Sequence, residues 1–324
     1  MVIGRSIVLS AAGVVAFVVI LSGCGPVRTT TTRAVETSVN EEFLLTYDEL
    51  AELVSATTEQ TRSRVAEDPH GFLSLVRDVL AAPTELIVLV DKNTPLPATY
   101  APDDLVPLSE FAGRIGYAVG EREIRRIIAA DLLEMAAAAR DDGVELVVQS
   151  AYRSYAYQDQ LFTAYAARHG ETAASMFSAR PGRSQHQLGT AVDFAPIARE
   201  FADTPAGLWL AEHAWRFGFS LSYPEGYEEA TGYIFEPWHF RYIGRDAARL
   251  EREFFGAVQQ HMLEFFHAHG DSLRDAITAR IGGGTYQRSR RDYEASTLVV
   301  DFHQPGHHVG QLFNRGLFVV ARAT

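Results

Sequence analysis

Ser184-Gln185-His186-Gln187-Leu188-Gly189-Thr190-Ala191-Val192-Asp193 decides how this chain reads, and it is answered roughly forty residues on by Glu236-Pro237-Trp238-His239. Together the two segments hold two imidazoles and two carboxylates. A mononuclear zinc hydrolase needs three protein ligands, an open position for water, and a carboxylate outside the coordination shell to take a proton. Pro237 lacks an amide hydrogen and clashes with a preceding turn, so Glu236 and His239 are not the helical half of a His-Glu-x-x-His site. His186 and Asp193, with Gly189 between them, suit two short strands joined by a turn. The expectation is that His186, Asp193 and His239 hold Zn2+. Glu236 would deprotonate the water and hand the proton to the leaving amine.

Working outward, Val144 to Val148 and Leu86 to Val90 are short apolar runs that read as buried strands. Arg122 to Arg140 spaces Ile124, Ile127, Ile128, Leu132, Leu133 and Met135 as a core-facing helical stripe, with Gly143 just past its end. Further helices are expected over about 157–168, 171–179, 209–217 and 244–268. A helical part occupies Glu41 to Ala81, punctuated by Pro69 and Pro83. Helices and short strands alternate without a regular βαβ repeat, which predicts an α+β fold: a small antiparallel sheet carrying the zinc site, surrounded by helices. Gly282-Gly283-Gly284 marks a break, and Leu298 to Phe302 and Leu317 to Val320 are strand-like. A small β appendage is expected there, with His303, His307 and His308 in a solvated loop.

The 324 residues are 47% hydrophobic and 22% charged, as in globular chains, and their net charge of −12 includes a single lysine, Lys92. No basic surface is offered to nucleic acid, so nucleic-acid partners are not expected. Residues 1–24 read as a secretory leader: Arg5, an apolar run from Ile7 to Leu21, then Leu21-Ser22-Gly23-Cys24. About 15 apolar residues are short for a spanning helix and suit a signal-peptide core. The segment resembles a bacterial lipoprotein signal, whose cysteine becomes lipidated and N-terminal after cleavage. Cys24 is the one cysteine of the chain, so thiolate drops out of the ligand list and no internal disulfide forms. Residues 25–40 read as a polar tether, 41–270 as the zinc domain and 271–324 as the appendage. The expected location is the bacterial cell envelope, anchored to a membrane through lipid on Cys24 and facing the periplasm or cell wall.

Several blocks resemble the D,D-/L,D-carboxypeptidase family of bacterial zinc peptidases, the VanY-like group. Its Ser-x-His-x-x-Gly-x-Ala-x-Asp pattern is met by Ser184, His186, Gly189, Ala191 and Asp193, and its Glu-x-Trp-His by Glu236, Trp238 and His239. Tyr152-Arg153-Ser154 with Gln158, the Pro181-Gly182 lead-in, the loop from Lys92 to Pro97, and Phe217-Gly218-Phe219 with Tyr223-Pro224 extend the likeness over about 86–245. Gln185 departs from the glutamate many members carry, and Ala151 from their glycine. The resemblance implies a zinc hydrolase that removes the terminal D-alanine from peptidoglycan stem peptides. Arg153 would grip the substrate's free carboxylate through its planar guanidinium. Ser184 and Gln158 would help orient substrate or site, and Trp238 would pack beneath the metal. An L,D-carboxypeptidase or an endopeptidase on the same site, and a non-catalytic wall-binding lipoprotein, are the alternatives.

Overall fold

The computed structural model describes Val39, Phe43 and residues 45–280. Cys24, the leader, the tether up to residue 38 and the stretch expected to form a β appendage, with its three histidines, lie outside the described residues. In chain order the elements are α1 (Tyr47–Leu53), α2 (Glu59–Glu67), α3 (Pro69–Ala81), β1 (Leu105–Pro107), β2 (Gly116–Tyr117), β3 (Glu123–Arg125), α4 (Arg126–Asp141), β4 (Val147–Ser150), α5 (Tyr155–His169) and α6 (Glu171–Phe177). They continue as β5 (Ala191–Phe194), α7 (Pro205–His213), β6 (Phe219–Leu221), α8 (Glu228–Thr231), β7 (His239–Tyr242), α9 (Arg245–Phe254) and α10 (Gln259–Arg280). No described helix is long and apolar enough to cross a membrane.

The fold is α+β, as expected. Five strands run in the order β2-β4-β5-β7-β6, and β1 pairs with β3 in a separate two-stranded ribbon. All pairings are antiparallel except β2 with β4. Central β5 is buried on both faces. Its alternation sends Val192 and Phe194 into a core shared with α4 and α7, and leaves Ala191 and Asp193 for the opposite face. A second, helical core joins α1–α3 to α9 and α10, with Phe72 in ring contact with Phe254, Phe255 and Phe265.

Four local expectations are corrected. Leu86 to Val90 is buried but is no strand: Pro83 opens a 3-10 turn over Thr84–Ile87. Arg241, fully buried on β7, donates from Nη2 to the Leu86 and Val88 carbonyls at 3.1 and 2.8 Å, which satisfies groups a strand partner would otherwise take. The stripe begun at Arg122 splits, because Ile124 pairs with Val106 in the ribbon and the helix starts only at Arg126. The single helix expected over 244–268 breaks at Gly256-Ala257, where both residues are left-handed (φ 66° and 58°) and a Cβ on Gly256 would come within 2.7 Å of Gln60 Oε1. Lastly, α10 runs through residue 270, where the appendage was placed, because its apolar stripe continues into the helical core with buried Leu273 and packed Ile277.

Candidate metal centre and its cavity

The site begins with strand register. Asp193 on β5 and His239 at the start of β7 are directly paired, so both side chains stand on the same face of the sheet. His186 arrives from a 3-10 turn, Gln185–Leu188, rather than from the strand expected. The Ser184 hydroxyl opens that turn by accepting from the His186 amide at 3.3 Å. Gly189 closes it at φ 71°, where a Cβ would also come within 2.8 Å of Arg125 Cγ. Glu236 precedes a tight turn whose carbonyl accepts from the His239 amide at 3.0 Å, which returns both side chains to one place.

His186, Asp193 and His239 are buried and offer ligand atoms within 4.8 Å of one another. His186 Nδ1 lies 2.6 Å from the Ala151 carbonyl. A carbonyl only accepts, so Nδ1 carries the ring proton and Nε2 is a bare lone pair. That bare Nε2 is 3.2 Å from Asp193 Oδ2 and has no hydrogen-bond partner. His239 Nδ1 lies 3.0 Å from Asp193 Oδ1, and its Nε2 is 3.2 Å from Gln185 Oε1. Acceptor atoms gathered this closely call for a cation between them. Two imidazole nitrogens and a carboxylate suit Zn2+ with a fourth position open, so the residues fit the cofactor.

Burial is the largest influence on His186 and, with the Arg153 charge, depresses its pKa to about 4. The ring is therefore neutral and ready to ligate at pH 7. Burial would raise the Asp193 carboxyl, but positive charge on His186 when protonated and on Arg153 reverses this and holds it well below the usual range. Glu236 goes the other way: burial and the neighbouring Asp193 charge push its pKa well above that of an ordinary glutamate. Its Oε2 is 3.7 Å from His239 Nδ1, so a strongly basic carboxylate stands beside the ligand cluster.

The three ligand residues and Glu236 line a cavity of about 330 Å³ with Arg153, Ser184, Tyr223, Tyr233 and Trp238 among its walls. Arg153 donates from Nη2 to Asp193 Oδ2 and from Nε to Ser150 Oγ at 2.9 Å. Nη1 has no partner among the described residues and is the group left for a ligand. Gln158 does not line the cavity: it is buried behind the wall, with Nε2 donating to the Ala179 carbonyl at 2.7 Å. Trp238 lines the cavity rather than lying wholly beneath it. Sequence reasoning missed Tyr223, whose ring is 4.8 Å from that of His239 and whose hydroxyl is kept a phenol by burial. Its place beside Pro224 was quoted, but nothing in its spacing pointed to the metal. Gln185, noted as a departure, turns out to be the outer partner of His239.

Known proteins resemble this chain in sequence and fold. The family model described as VanY, D-alanyl-D-alanine carboxypeptidase, matches residues 121–245, the segment that carries every site residue above. A D-alanyl-D-alanine carboxypeptidase of Enterococcus faecalis (strain ATCC 700802 / V583) is 32% identical over 206 residues, which are 60% of this chain and 72% of that protein. YodJ of Bacillus subtilis (strain 168) is 36% identical over 180 residues, 53% of this chain and 65% of that protein. The solved structure of the LdcB LD-carboxypeptidase is 33% identical with a TM-score of 0.51, covering 55% of this chain and 86% of that one. A zinc-fit ligand set with two members on paired strands, inside the matched segment and beside Glu236, makes this chain an enzyme of the VanY family of D-alanyl-D-alanine carboxypeptidases.

Proposed function

We propose that the chain hydrolyses the terminal D-alanine from peptidoglycan stem peptides. The observation that carries the reading is the convergence of His186 Nε2 and His239 Nδ1 on the two oxygens of Asp193, with Glu236 and Arg153 in the same cavity. Zn2+ bound by these three side chains supplies a Lewis acid and lowers the pKa of the attacking water from 15.7 toward roughly 7. Glu236 accepts that water's proton on a carboxylate oxygen. Its raised pKa lets it hold the proton long enough to deliver it to the departing D-alanine amine. Arg153, through Nη1, pairs with the free C-terminal carboxylate, so cleavage is measured from the end of the peptide. Ser184 holds the His186 turn, and Gln158 holds the wall segment at Ala179, so both orient the site without contacting the cut bond.

The likeness to an LD-carboxypeptidase supports a second reading, removal of D-alanine from tetrapeptides. Incubating the purified chain with pentapeptide and tetrapeptide stems and weighing the products distinguishes the two. Loss of one alanine from the pentapeptide is expected, and loss only from the tetrapeptide overturns the D,D assignment. No cleavage of either, with zinc bound, would favour a wall-binding protein without activity. We further propose that lipid on Cys24 carries the domain on the outer face of a bacterial membrane. Mass analysis of the mature N-terminus is expected to find an acylated cysteine, and an uncleaved or unmodified leader would refute the anchor.

A further inference from the structure

His239 can ligate through Nδ1 only if its proton is on Nε2, and that proton needs an acceptor. Gln185 Oε1 provides it at 3.2 Å. Gln185 is an amide, so presenting oxygen to His239 turns its NH2 the other way, where Nε2 donates to Gln259 Oε1 at 3.1 Å. Ser222 Oγ lies 2.7 Å from Gln185 Oε1 and 3.4 Å from Gln259 Oε1. A hydroxyl donates or accepts with equal ease and cannot choose the amide orientation. Gln259 is equally two-faced, but in this arrangement its Oε1 is the acceptor that the Gln185 NH2 uses. It is the first residue of α10, fully buried, and its Nε2 is without a partner.

The opposite arrangement is also self-consistent. With both amides turned over, Gln259 Nε2 would donate to Gln185 Oε1 and Gln185 Nε2 to His239 Nε2. The ring proton would then move to Nδ1, which stands 3.0 Å from Asp193 Oδ1 and would be unavailable to a metal. The two amide orientations and the imidazole tautomer are thus coupled, one combination being ready for metal and the other not.

We infer that Gln259, on α10 outside the matched family segment, is a positioning residue for the metal centre: its side-chain carbonyl takes the Gln185 NH2 and so favours the amide orientation that keeps the His239 proton on Nε2. This rests on the zinc-ligand reading given above. A carboxylate needs no orientation, so glutamate in place of either glutamine removes the ambiguity. Outer partners of this kind are worth about 10- to 100-fold in metal affinity.

The test uses the full chain, stripped of metal and titrated with zinc against a competing chelator. Gln259→Leu is expected to weaken zinc about tenfold, and Gln259→Glu to leave it equal or tighter. In a Gln185→Glu background the Gln259→Leu loss is expected to vanish. Long-range 15N–1H spectra of the metal-free chain report the tautomer directly: the proton of His239 should leave Nε2 in Gln259→Leu and stay there in Gln259→Glu. Gln260→Ala, which removes a buried hydrogen bond to Asp91 one residue along, controls for helix stability and should leave zinc affinity unchanged. The inference is overturned if Gln259→Leu binds zinc within twofold of the parent, or if its loss persists in the Gln185→Glu background. Failure of the parent chain to bind zinc would instead overturn the ligand assignment.

Discussion

Arg153 Nη2 donates to the same Asp193 oxygen that lies 3.2 Å from the bare Nε2 of His186. One guanidinium therefore balances the ligand carboxylate while its Nη1 is left for a ligand in the cavity. In the metal-free chain it is the principal cation beside a carboxylate that is 2% exposed. Arg153→Ala is expected to cost the metal-free protein about 3 kcal/mol, the penalty for stranding a buried charge. Zinc would recover most of it, so calorimetric melting should drop much further in chelator than in zinc.

The same arginine divides metal binding from substrate choice. A peptide whose C-terminal carboxylate is amidated should lose on the order of a hundredfold in kcat/KM with the parent enzyme. With Arg153→Ala the two peptides should be cleaved equally slowly. A large preference for the free carboxylate in that variant would assign its recognition elsewhere.

Glu236→Gln keeps the shape of the side chain and removes the base. Turnover is expected to fall between about 10²- and 10⁴-fold, while zinc content by atomic absorption stays at the parent level. Loss of zinc together with activity would make Glu236 a ligand.

Glu251, on α9, is buried, and burial pushes its pKa up to about 8 against relief from Ser220 and Arg252. The folded state then holds a proton that the unfolded chain has released, so stability is full below the ordinary glutamate pKa and declines as pH rises toward 8. The total is on the order of a few kcal/mol. Glu251→Gln should flatten that decline in melting temperature between pH 5 and 8.

Phe72 is fully buried among three other phenylalanines from α9, α10 and the turn between them. Phe72→Ala should destabilise the protein by about 3–5 kcal/mol, as other large-to-small changes in packed cores do. Urea unfolding would measure it, with the zinc ligands untouched.

The chemistry was more legible than the architecture. His186, Asp193, Glu236 and His239 announce themselves because few residue types bind metal or move protons, and two short motifs hold them all. What joins them is a strand register, and β5 and β7 are four residues each, too short for alternation to reveal their pairing. Arg153 illustrates a second limit: its type suggested a carboxylate partner, but the sequence could not say that Asp193 is one. Leu86 to Val90 was rightly read as buried and wrongly as a strand, because apolarity reports burial, and the satisfaction of its carbonyls by Arg241 lies 153 residues away. Gln259 was invisible altogether. A glutamine at the first position of a helix looks like solvent-facing filler until its neighbour across the fold is known.

Arg241 has a mechanical consequence. A strand must keep alternate residues in phase with a partner, but a segment pinned by one guanidinium at two carbonyls is free to point its side chains wherever they fit. Leu86 enters the sheet core while Ile87 and Leu89 enter the helical one. Five residues thus run along the border between two oily interiors, and a single positive charge pins them there. Arg241→Met should leave the Leu86 and Val88 carbonyls without that donor and lower stability by about 1–3 kcal/mol in urea unfolding.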